Sequence, residues 1–140
     1  MGSDLNQYKG IINDCYKWLR KYIAIEKRDD DFWHNAIAET EEIVTKNKSD
    51  YAHEVVWLCI KEMSNVKDLD KPQAKAEIYY NAFLDCSKLL KMTDEGFDCC
   101  VQSMKKMKDK YKDNWFAEKL FDITLEEVAK LIDVKIEEGG

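Results

Sequence analysis

An all-α helical bundle forming a single domain over residues 1–140 is what the sequence predicts, on three observations. Apolar residues recur at three- and four-residue steps along most of the chain, the mark of helices with one buried stripe. Only one proline and five glycines occur, three of the glycines at positions 2, 139 and 140, so little interrupts a helix from within. The alternation of apolar and polar residues that a half-buried strand needs is missing. With 140 residues the chain can bury a core without disulfide or metal staples and is short for two domains. Its ends, about 1–3 and 136–140, are expected to be flexible.

Five main helices and one or two short C-terminal ones are expected. The first spans Asp4 to Glu26, opened by Asp4 and Gln7 in capping-box spacing. Leu5, Tyr8, Ile12, Cys15, Leu19 and Tyr22 step by three and four in a heptad seam, widened by Ile11, Trp18 and Ile25. "KRDDD" at 27–31 interrupts the pattern with capping residues, and a second helix follows from Phe32 to Asn47 through Trp33, Ile37, Thr40 and Val44, with an acidic outer face. "KNKSD" closes it. The third, Tyr51 to Val66, is apolar on most sides, which marks it as the central helix of the bundle.

"NVKDLDKPQ" at 65–73 reads as a linker, with Pro72 suited to a first helical turn. The fourth helix runs from Pro72 to Met92 on Tyr79, Phe83, Cys86 and Leu90, flanked by Ile78, Ala82 and Leu89. Thr93 and Asp94 would cap a fifth, with Phe97, Cys100 or Val101, Met104, Met107 and Tyr111 facing inward. Around "KDNW" the register shifts, so a short or bent sixth helix is expected over Trp115, Phe116, Leu120 and Phe121. "TLEE" at 124–127 has capping-box spacing and would open a last helix to Val134.

Charge narrows the partners. The net charge is −6, with 10 basic and 14 acidic residues in positions 1–70 against 12 and 14 in 71–140. A general nucleic-acid binder needs a basic surplus to neutralise phosphates, so this balance argues against one. "KKMKDKYK" at 105–112 is the one basic run, and it reads as the solvated face of an amphipathic helix. No stretch approaches the roughly 18 apolar residues of a membrane span. "MGSDLNQYKG" has no apolar core of the kind a secretory leader carries. Five cysteines without Cys-x-x-Cys spacing read as reduced thiols of a cytoplasmic protein.

Two stretches look chemical at first. "DFWH" and "DYAH" hold the only histidines, His34 and His53, each three residues after an aspartate. Asp31 and Asp50 read as helix N-caps, which accept orphan backbone N–H bonds. An intact second helix would then hold the histidines about 20 Å apart, far beyond the span of one metal ion.

Glu39 and Glu42 form Glu-x-x-Glu in the second helix, and Glu95 and Asp98 form Glu-x-x-Asp at the start of the fifth. Together they are similar in outline to the carboxylate motifs of the all-α nucleoside triphosphate pyrophosphatases. That resemblance implies magnesium held by these four carboxylates and hydrolysis of a nucleoside triphosphate. The 52 residues between the two motifs depart from that family's single hairpin spacing. Separately, Thr124, Leu125, Glu126, Glu127, Val128, Ala129 and Leu131 resemble the first half of a small helix-turn-helix unit over about 15 residues. The resemblance lapses at the turn, where Asp133 replaces the usual glycine.

The function class these features suit is a small acidic protein-binding module, not an enzyme and without a cofactor. Immunity proteins, antitoxins and mobile-element inhibitors, which mask a partner, are of this kind. Large aromatics supply binding hot spots, and contacts with another protein are expected at Trp33, Glu39, Glu42, Trp115 and Phe116. The first alternative is the magnesium-dependent hydrolase on Glu39, Glu42, Glu95 and Asp98. The second is a homo-oligomer built on the heptad seam of the first helix, which leaves room for a homodimer.

Overall fold

The computed structural model describes residues 2–25, 27–66 and 72–139. They form α1 (Gly2–Ile23), α2 (Asp30–Asn47), α3 (Asp50–Asn65), α4 (Pro72–Lys91), a 3-10 turn (Thr93–Glu95), α5 (Phe97–Asp109) and α6 (Trp115–Gly139), with no strand among the described residues. The all-α bundle expected from periodicity is the fold found. Residues 67–71, most of the expected linker, and Glu26, the expected end of the first helix, lie outside the described residues.

Caps set the boundaries, and several differ from the sequence reading. The cap of α2 is Asp29, whose Oδ1 accepts from the Phe32 N–H at 2.9 Å, so Asp31 sits in the first turn, where its charge meets the helix dipole. The cap of α3 is Ser49, whose Oγ accepts from the Ala52 N–H at 3.1 Å, and Asp50 is the first helical residue. Between them Lys48 alone makes the turn, at φ 28°, a backbone that costs a lysine about 1 kcal/mol more than a glycine. Gln7 does not cap α1. Its Nε2 donates to the Asn47 carbonyl at 2.7 Å and satisfies the end of α2 instead. Arg28 does the same for α3, with Nη1 donating to the carbonyls of Met63 and Val66.

Thr93 and Asp94 do not cap α5. They form the 3-10 turn, and Gly96 leads into α5 at φ 95°, ψ 158°, a region that only glycine enters freely. The two short C-terminal helices are a single 25-residue helix. It is capped at its start by Asn114, whose Oδ1 accepts from the Ala117 N–H at 2.9 Å. Thr124 therefore lies inside α6, where it is fully buried and its hydroxyl is 2.9 Å from that of Tyr51. The backbone stays helical through Asp133, the position of the expected helix-turn-helix turn, as far as Gly139.

Four helices close a ring: α1 packs on α3, α3 on α6, α6 on α4, and α4 on α1. α2 covers the α1/α3 side and α5 covers the α4/α6 side. The stripes read from the sequence fill the centre, where Ile11, Cys15, Leu19, Val55, Met63, Tyr79, Phe83, Leu89, Leu120 and Phe121 are buried. α3 is not enclosed as a central helix would be, because among the described residues no helix covers the side between α2 and α6. There Trp57 is 58% exposed, with the Lys61 ammonium 4.9 Å from its ring centre. Polar groups in the core make side-chain pairs: Tyr79 Oη donates to Glu62 Oε2 at 2.6 Å, and Tyr111 Oη to Asp85 Oδ2 at 2.9 Å, while Arg28 Nε is buried without a hydrogen-bond partner among the described residues.

Candidate functional site: a groove between α1 and α4

The sequence-predicted contact residues are spread over the molecule. Trp33 is half-buried and meets the Phe32 ring edge-on at 5.0 Å. Glu39 is ion-paired with Lys21, an arrangement that raises the pKa of that lysine, and Glu42 is exposed. Trp115 is partly exposed on the first turn of α6. Phe116 is core, 1% exposed, with its ring 5.0 Å from that of Tyr79 and 5.9 Å from that of Phe83. It has no surface to offer a partner. Because α2 and α6 are not neighbours, Trp115 is not drawn together with Trp33, Glu39 and Glu42 by packing.

The carboxylate pairs of the hydrolase alternative are likewise apart. α2 packs on α1 and α3 and does not touch α5 or the 3-10 turn. Gly96 separates Glu95 from Asp98, so the two do not share a helix face. Among the described residues no group of three or more His, Cys, Asp or Glu side chains is placed to hold a metal ion. α2 is unbroken from Asp30 to Asn47, so about 20 Å of helix separates the exposed His34 from the turn that leads to the exposed His53 on α3. The heptad seam of α1 is spent on the chain's own core, where Tyr8, Ile12, Cys15, Leu19 and Tyr22 are all buried.

The cysteines divide unevenly: Cys15, Cys59, Cys86 and Cys100 are buried and Cys99 is exposed. Burial pushes the thiols of Cys59, Cys86 and Cys100 up, Cys86 to about 12, which makes them poor nucleophiles. In the basic run, Lys108 pairs with Asp122 at 2.6 Å and Lys110 with Asp85 at 3.0 Å, while Met107 and Tyr111 pack inward.

Among the described residues the ring leaves two seams without a covering helix, α3/α6 and α1/α4, and the second of these forms a cleft. α2 and α5 cover other sides. Lys9, Gly10, Ile12, Asn13, Tyr16, Tyr80, Phe83, Leu84 and Ser87 line a cleft of about 570 Å³ there. A second depression, of about 770 Å³, continues from the shared Tyr16 and Tyr80 to Arg20, Ala76, Glu77 and Asn81. Lys9 shares one end with Ser87 and Arg20 shares the other with Ala76, so the two helices run antiparallel. From Lys9 to Arg20 a helix rises about 16 Å, or three turns.

The groove is apolar where it is deepest. Ile12 and Phe83 form its floor at 9% and 2% exposure, and Tyr16 and Tyr80 meet edge-to-face across it at 5.5 Å. On the α4 wall Tyr80 and Leu84 stand 50% and 43% exposed, one helical turn apart on the same face. These two residues, with Tyr16, were not among the contacts expected from the sequence. The available signal was a second apolar column on α4 beside the buried one, wider than a single core face requires. No family model, curated protein or solved structure matches the chain.

Proposed function

We propose that this protein is a binding module that masks a partner protein, and that it docks through the α1/α4 groove. The observation that carries the reading is the concave apolar surface built by Ile12, Tyr16, Phe83, Tyr80 and Leu84. Leaving two large apolar side chains about half exposed beside an apolar floor forgoes burial worth roughly 25 cal/mol per Å². A partner recovers that energy on binding, and an aromatic-aliphatic cluster ringed by polar groups is the usual centre of a binding hot spot. Asn13, Asn81 and Ser87 supply such a rim.

Capture from the source cell with wild-type protein and with Leu84→Glu tests the reading. The variant places a charge on an exposed wall, so its fold and melting temperature should stay near wild type. One stoichiometric partner should be recovered by wild type and lost, by at least about tenfold, with the variant. Equal recovery by both proteins would refute the groove as the docking surface.

A further inference from the structure

Resting on the groove as docking surface, we infer that its occupant is an amphipathic α-helix of the partner, carrying a carboxylate at the end that lies against Lys9. The shape selects a helix. Both walls are α-helices whose backbone groups are bonded internally, so the groove has no sheet edge to which an extended strand could add its own hydrogen bonds. The apolar cleft runs about 10 Å, from Lys9 to the Tyr16–Tyr80 pair that closes it, which accommodates anchors at i, i+4 and i+7 of a single helix.

Charge selects the acid. The chain as a whole is −6, yet among the described residues Lys9 is the one charged side chain lining the apolar cleft. Lys91 lies exposed on α4, one turn beyond Ser87. Neither Lys9 nor Lys91 has an ion pair among the described residues. At the other end Arg20 and Glu77 offset one another. A basic end on an acidic protein favours a carboxylate there and turns away a basic helix.

The test is selection from a displayed library of 16-residue peptides with apolar residues fixed at helical spacing and all other positions random. It is panned on the wild-type protein and counter-selected on Leu84→Glu, with circular dichroism confirming that every variant is folded. Binders enriched in Asp or Glu at one end are expected. Lys9→Glu should weaken them about three- to tenfold, and exchanging their terminal acid for lysine should restore affinity to that variant. Binders that depend on Leu84 but are indifferent to Lys9→Glu, or that are proline-rich and extended, would overturn the inferred partner while leaving the groove intact. Failure to recover any Leu84-dependent binder would overturn the groove itself. A concentration-dependent dimer abolished by Leu84→Glu would assign the groove to a second copy of this chain and overturn the inference.

Discussion

Thr124→Val, taken with Tyr51→Phe, tests the element that departs most from local sequence pattern, the uninterrupted α6. The hydroxyls of Thr124 and Tyr51 are 2.9 Å apart, and both residues are 0% exposed. Valine keeps the shape of threonine but removes the hydroxyl, which leaves the Tyr51 hydroxyl unpaired where water does not reach. An unsatisfied buried polar group costs about 1–3 kcal/mol. Unfolding entropy for a chain of 140 residues is roughly 0.3 kcal/mol/K, so a loss of about 2 kcal/mol lowers the melting temperature by about 7 °C.

Tyr51→Phe should cost less, about 1 kcal/mol, because a threonine inside a helix can turn its hydroxyl to a carbonyl of the preceding turn. The double variant removes both polar groups together and should be more stable than the sum of the single losses implies, with a coupling of about 1 kcal/mol. Urea unfolding of the four proteins measures this, provided the slope m is unchanged. If Thr124 instead capped a separate short helix, its loss would still cost about 1 kcal/mol, but the two substitutions would then add. Strict additivity would refute the buried pair and the continuous helix built around it.

Other expectations are quick to check. Gly10→Ala should raise stability by about 0.5–1 kcal/mol in urea unfolding, since its new Cβ would meet only Asn47 Oδ1, at 3.9 Å. Gly96→Ala should lower stability by about 1–3 kcal/mol although nothing lies within 4 Å of its new Cβ, because φ is 95°. Alkaline pH should destabilise the fold. Burial raises the Cys86 thiol from its ordinary value near 9 to about 12, and burial likewise raises the phenols of Tyr51, Tyr79 and Tyr111. Below pH about 9 these groups are protonated in both states and their contribution is complete; as pH rises the unfolded chain releases protons first, so stability falls. Cys86 alone accounts for about 1 kcal/mol by pH 10, or a few degrees in melting temperature under reducing conditions. A melting temperature equal at pH 8 and pH 10 would contradict that.

The stripes of α1 and α4 were legible in the sequence because each follows one unbroken period and faces one core. Cap positions were not. Asp29, Asp30 and Asp31 are three competent caps in a row, and Ser49 and Asp50 are two, so local chemistry alone leaves the start of each helix uncertain by a residue or two. The Thr-x-x-Glu pattern at 124–127 reads as a helix start, yet whether a threonine caps or is buried depends on Tyr51, 73 positions away. Trp115 and Phe116 are adjacent, and the phase set by the Asn114 cap decides which of them turns inward. Tyr80 and Leu84 look like ordinary core letters. They stay uncovered because α2 lies over α1/α3 and α5 over α4/α6, a pairing fixed by tertiary packing and not by any local period.

The most direct test of the docking surface is photo-crosslinking in the source cell, with p-benzoylphenylalanine placed in turn at positions 80, 84, 57 and 33. A covalent adduct with one partner protein from positions 80 and 84, and none from 57 or 33, is the predicted result. Adducts from position 57 or 33 with none from 80 or 84 would contradict the account.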